Sequence, residues 1–217
     1  MLPGDAAAGG PPAGSAPAAG AAGCDAIRHD AVDRNGNVTA NLTPSGYGPA
    51  DIRSTYALGA ASSGGRTVAI VDAYNDPNAE ADLGVYRSTF GLPTCTTANG
   101  CFRKVDQSGG TSYPRSNGGW AQEISLDLDM VSAACPDCKI LLVEASSASF
   151  ANLGAGVNTA ARLGATAISN SYGGSDSAQS SAYNHPASRS PRPPVTRATA
   201  CSRRPRTERS SLWAARR

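Results

Sequence analysis

The sequence predicts an α/β fold: a parallel sheet flanked by helices. Two runs carry most of this expectation, "TVAIVDAY" (67–74) and "KILLVEA" (139–145). The first is a continuous β-branched run, the mark of a parallel strand buried on both faces, and the second reads as the next buried strand. A third apolar run, "TAISNSYGG" (166–174), leads into a glycine loop, and segments of helical spacing separate the three. Strand–helix–strand alternation of this kind builds a parallel sheet with right-handed crossovers.

The elements follow in order. Residues 1–44 open with "MLPGDAAAGGPPAGSAPAAGAAG", a Pro/Gly/Ala-rich linker whose composition predicts disorder. "SGYGPADIRSTYAL" predicts a short helix from near Pro49, with Ile52, Tyr56 and Leu58 apolar, and "SSGGR" ends it. After the first strand, turn residues at Asn75–Pro77 lead into a helix that stops near Gly91 and Pro93. A cysteine loop and the polar loop "DQSGGTSYPRSNGG" come next, read as irregular, and then a helix over 119–134. "SFANLGAGVNTAARLGA" (149–165) is amphipathic, with Leu153, Val157 and Ala160 at helical spacing and Gly164 near its end. No internal repeat is visible.

A chain of 217 residues that is 40% hydrophobic fits one α/β domain, or a smaller one with ragged ends. The net charge of +2 averages two unlike regions. Residues 187–217 hold nine arginines and one acid, a net of +8, which leaves −6 for residues 1–186. No RNA- or DNA-binding signature accompanies the basic segment, so no nucleic-acid partner is expected. No apolar run approaches the roughly 20 residues of a membrane span, so no membrane partner is expected either. The N-terminus has neither the basic nor the apolar region of a signal peptide.

Cys24, Cys95, Cys101, Cys135, Cys138 and Cys201 include two close pairs, "CTTANGC" and "CPDC". A zinc site is disfavoured because the only histidines are His29 and His185 and the spacings match no common finger. A redox pair is disfavoured because Cys135 ends a helical pattern, whereas thioredoxin-type pairs begin one. Short-loop disulfides within 95–101 and 135–138, as in an exported protein, are the expected state.

"GGWAQEISLDLDM" (118–130) sets Glu123, Asp127 and Asp129 among apolar residues. Glu123 and Asp127 are four apart, on one helix face, where two carboxyls share protons and titrate as a unit. Such a pair suits a general base working in acid. Asp129 falls off that face and is expected to be solvated or paired elsewhere. Competing readings are a solvated helix face, a carboxylate metal site and a glycosidase pair. The metal site lacks a local glycine-bearing loop, and glycosidase carboxyls approach the sugar from opposite sides.

The ordered blocks "SGYGPADIRSTYAL", "GRTVAIVDAYNDPNAEADLGVYRSTFGLPTC", "WAQEISLDLDM", "CPDCKILLVEA" and "AISNSYGG" together resemble the catalytic domain of sedolisins. These are secreted serine-carboxyl peptidases with a subtilisin-like fold, and the resemblance spans about residues 45–186. It implies a Ser–Glu–Asp triad in which Glu123 is the general base and Asp127 the second acid, hydrogen-bonded to it, acting at low pH on a polypeptide substrate. It also implies that the loop "SYGGS" (171–175) lines the cleft, that the protein is extracellular, and that it is a monomer. The family's nucleophile lies in a Gly-Thr-Ser motif far downstream of the acids, its oxyanion aspartate in a Gly-Asp loop and its calcium site near its C-terminus; the chain is expected to end before these. No cofactor is therefore expected in this chain. Ser169, Ser171 and Ser175 lie near the cleft loop but outside any nucleophile motif, and none is nominated.

Composition changes abruptly at "ASRSPRPPVTRATACSRRPRTERSSLWAARR" (187–217). Codons permitted by Ala187–Pro191, shifted by one base, also encode Gly-Val-Ala-Ile-Thr. The same shift permits Ser-Gly-Asp-Ala-Gly-Tyr-Gly-Val over Pro194–Cys201 and Ala-Val-Val-Ala-Val-Gly-Gly-Thr over Arg209–Arg216. Strand, Gly-Asp loop and strand reappear in one constant frame, so residues 187–217 are expected to be out of frame and residues 45–186 to be part of a catalytic domain. As translated, the chain is expected to be inactive and to expose apolar sheet edges. The alternative from another class is a non-catalytic α/β binding module whose basic tail recruits an acidic partner.

Overall fold

The computed structural model describes residues 19–24, 46–59, 63–174 and 180–185. Most of the linker and the whole basic segment, with Cys201, lie outside them. Four parallel strands form the sheet: β2 (Thr67–Ala73), β3 (Phe102–Asp106), β4 (Lys139–Ala145) and β5 (Ala167–Ser169), in the order β3-β4-β2-β5. Helices cover both faces, so the chain is an α/β protein with a parallel sheet between helical layers, as expected from the sequence. The expected strand at 166–174 is divided. After β5 the chain turns, and β6 (Tyr172–Gly173) pairs antiparallel with β1 (Gly23–Cys24) in a separate two-stranded sheet.

The segment after the cysteine loop was expected to be irregular, but it contains β3. "FRKVD" buries Phe102 and Val105 and leaves Arg103 exposed. Five residues at the sheet edge are too few for a clear apolar run. Pairing with β4 from Phe102↔Ile140 to Asp106↔Glu144 makes it a strand.

Helix α1 (Pro49–Thr55) begins with proline at its first position, where a missing N–H costs nothing, and the Asp51 carboxylate accepts the Gly48 N–H at 2.9 Å. Helix α2 (Ala79–Thr89) stops before Gly91, whose φ of +63° suits glycine. In α3 (Gly118–Ala134) the Asn117 side chain caps the start by accepting the Trp120 N–H at 3.1 Å. Helix α4 (Phe150–Arg162) is capped in the same way by Ser149. Among the described residues no helix is long and apolar enough to cross a membrane.

Side chains alternate along each strand, so β2 and β4 feed two cores. Ala69, Val71, Leu141 and Val143 meet Leu153, Val157 and Ala160 of α4. Ile70, Ile140 and Leu142 meet Leu83 of α2 and Ile124 and Leu128 of α3. Helix α4 lies unusually close, because a Cβ on Gly156 would fall 2.8 Å from Val71 Cγ1. On the opposite face α3 stands over β2, and the carboxyls of the sequence motif come down onto the sheet.

Candidate active site

Glu123 and Asp127 project from the sheet-facing side of α3 and are only 3% and 7% exposed. They are not a solvated helix face. Beneath them the parallel register sets Asp72 of β2 opposite Glu144 of β4, both fully buried. Asp72 follows Ile70 by two residues and Glu144 follows Leu142 by two, so both acids point toward the α2–α3 layer. Two carboxyls from a helix and two from the sheet thus share one buried region.

Their protonation follows from this crowding. The Asp72 carboxyl is held well above the usual range, by burial first and then by the charges of Asp127, Glu123 and Glu144. Neither of its oxygens has a hydrogen-bond partner among the described residues. Burial lifts Asp127 to about 6, opposed by a hydrogen bond in which Ser171 Oγ donates to Asp127 Oδ1 at 2.7 Å. Burial also lifts Glu144 to about 7, opposed by the Asp76 N–H at 2.8 Å and by Lys104, whose Nζ lies 3.4 Å away. Lys104 Nζ is further tied to Asn75 Oδ1 and to the Asp76 carbonyl, each at 2.8 Å. One ammonium beside so many carboxyls leaves the cluster short of positive charge, and protons make up the difference.

Asp129 does lie off this face, but it is not solvated. It is half-buried, and burial followed by the charge of Asp82 on α2 raises it to about 7. A carboxylate metal site finds no geometric support in these acids. Among the described residues the one trio of His, Cys, Asp or Glu with donor atoms within 4.8 Å of one another is Cys135, Asp137 and Cys138. Both sulfurs of that trio are joined in a disulfide, and Cys95 is joined to Cys101.

An aromatic wall borders the acids at the C-terminal edge of the sheet. Trp120, one turn before Glu123, packs against Tyr74 and Tyr172, with ring centroids 6.4 and 6.3 Å away. Tyr74 directly follows β2 with φ +65°, a left-handed conformation costly for a side chain of that size, and the Arg115 guanidinium sits 5.3 Å above its ring. Tyr172 OH donates to Asn170 Oδ1 at 3.0 Å and pairs with Tyr183 OH at 3.1 Å. Of the three serines near this loop, Ser171 reaches the acid pair, Ser169 pairs within β5 opposite Ile70, and Ser175 lies outside the described residues.

Sequence reasoning missed Asp72 and Glu144, although a signal was present. Both strands read as buried on both faces, yet each carries an acid at its sixth position. A carboxyl in a doubly buried strand must be paired or protonated, and that contradiction marks the site.

The fold and its buried acids thus define an α/β protein with a proton-sharing carboxyl cluster at the C-terminal edge of a parallel sheet. No family model matches the chain, and no curated protein matches it. Among solved structures it is similar to Pseudomonas sedolisin, a serine-carboxyl proteinase complexed with two molecules of pseudo-iodotyrostatin. The TM-score is 0.48 and the identity 20%, over 57% of this chain and 34% of that one. The chain therefore spans about a third of that protein's length.

Proposed function

We propose that residues 45–186 are part of an acid-active, exported serine-carboxyl endopeptidase that cleaves peptide bonds through an acyl-enzyme. Glu123 would take the proton from the attacking serine hydroxyl and return it to the leaving amine. Asp127 would support Glu123. The observation that carries this reading is the burial of Glu123 and Asp127 together over Asp72, in a region where protons outlast mild acidity. At about pH 4 Asp127 keeps its proton, which leaves the base role to Glu123. The order of the sequence blocks that resemble sedolisins supports the same assignment.

The one Gly-Thr-Ser in residues 45–186, Gly110–Ser112, precedes the helix of the two acids, whereas the resemblance calls for the nucleophile far downstream of them, so the chain as translated is expected not to hydrolyse peptides. The product of the frame-restored gene is expected to cleave denatured protein at about pH 4, and Glu123→Gln to lower kcat about a thousandfold. Activity that survives Glu123→Gln removes Glu123 from the base role. Resequencing across the codons for His185–Arg189 tests the frame itself, and an intact frame overturns that part of the reading.

A further inference from the structure

We propose that Ser171 is a positioning residue of the acid pair: its hydroxyl, fixed between two sheets, sets the orientation and the charge state of Asp127. The inference rests on the reading of Glu123 and Asp127 as the working acids, and it concerns a residue outside the expected triad.

The placement of Ser171 is decided away from α3. Ser169 closes β5 against Ile70 of β2, and Tyr172 opens β6 against Cys24 of β1, so residue 171 sits in a turn held at both ends. Between them Asn170 is buried, and its side-chain oxygen accepts from Tyr172 OH. The Ser171 hydroxyl therefore comes to Asp127 Oδ1 from a backbone that α3 does not control. The other oxygen, Oδ2, is buried and has no partner among the described residues. With one oxygen tied to Ser171 the carboxyl plane cannot rotate freely, and the face it offers its helix neighbour Glu123 is defined. A hydroxyl also serves both protonation states, donating to the carboxylate or accepting from the acid.

The other charges around Asp127 cannot substitute for this contact. Glu123 on α3 and Asp72 on β2 are acids, and Glu144 on β4 acts on Asp72. Lys104 of β3 is committed to Glu144, Asn75 and Asp76. On α2, Asp82 acts on Asp129. On α1, Asp51 accepts the Gly48 N–H and Arg53 donates to the Gly59 carbonyl. Beside the turn, Tyr172 is a phenol whose buried hydroxyl stays neutral.

The test is a site-resolved carboxyl titration of Asp127 by carbon-13 NMR in the full chain, comparing wild type, Ser171→Ala and Ser171→Thr. Loss of a charge-assisted hydrogen bond is expected to move the Asp127 midpoint upward by about one pH unit in Ser171→Ala, a tenfold rise in proton affinity. Ser171→Thr, which keeps the hydroxyl, is expected to stay near wild type. An unchanged Asp127 midpoint in folded Ser171→Ala overturns the proposal. Should Ser171→Ala not fold, Ser171→Cys, a weaker donor of similar size, is read by the same criterion. This readout needs no turnover. A peptidase reading that fails the Glu123→Gln assay leaves the titration standing, and a failed titration leaves the assay standing.

Discussion

The α2–α3 layer holds buried charge at both ends, and the two ends are built on opposite terms. Near the start of β4, Arg87 of α2 is almost completely buried, yet each arm of its guanidinium has an acceptor. Nε donates to the Pro93 carbonyl, Nη1 to Ser132 Oγ at 3.1 Å and Nη2 to the Pro136 carbonyl at 2.6 Å. Its cation also lies at the C-terminal end of α3, where a helix favours positive charge. At the other end Asp72 is as deeply buried, but neither oxygen has a hydrogen bond among the described residues, and its close charged neighbours are acids. A buried charge with every bond made is scaffold. A buried acid with none, surrounded by like charges, stores a proton.

The comparison breaks most severely at the scaffold end. Arg87→Met takes the donor away from the buried Ser132 hydroxyl and from the Pro93 and Pro136 carbonyls, and frees the loops bearing both disulfides from α2 and α3. It is expected to cost about 3–5 kcal/mol, read as a lower urea midpoint at constant slope. A loss under about 1 kcal/mol would show that Arg87 is not holding this end.

The acid end is sharpened by pH. Asp127, Asp129 and Glu144 are all raised in the folded state, to about 6, 7 and 7. The folded chain thus binds more protons than the unfolded one between the ordinary carboxylate range and about pH 7. Stability is fully present below about pH 4 and falls as pH rises toward 7, with Asp127 alone contributing about 3 kcal/mol of the change. Urea unfolding across that window measures it, and stability rising with pH there would contradict a proton-holding cluster.

The smallest effect separates storage of a proton from ordinary packing. Asp72→Asn keeps the shape and the neutrality of a protonated Asp72. Stability at about pH 4 is expected to change by less than about 1 kcal/mol, with a gain of about 1–2 kcal/mol at pH 7, where the native acid is under pressure to ionise. A large loss at pH 4 would mean that Asp72 works there as an anion.

Much of this architecture is legible in short stretches of sequence. The doubly buried strands β2 and β4, the helix that follows each of them and the placement of Glu123 and Asp127 on one face all follow from continuous apolar runs and a period of 3.6 residues. Those patterns are properties of neighbouring residues and need no knowledge of the fold. The strand β3 was not legible, since its pattern is short and mixed and its identity comes from pairing with β4. The break between β5 and β6 was hidden for a similar reason: "AISNSYGG" is apolar enough to continue, and only pairing with β1 turns it aside.

What the sequence by itself determined, then, is the α/β class and a helix presenting two acids on the side that meets a core. The tertiary structure alone decided the strand order β3-β4-β2-β5, the stacking of Asp72 and Glu144 beneath that helix, and the delivery of the Ser171 hydroxyl to Asp127 from 44 residues away. Local spacing places a side chain on a face. How tightly it holds a proton depends on charge and burial, and those come from residues far apart in the chain that only packing brings together.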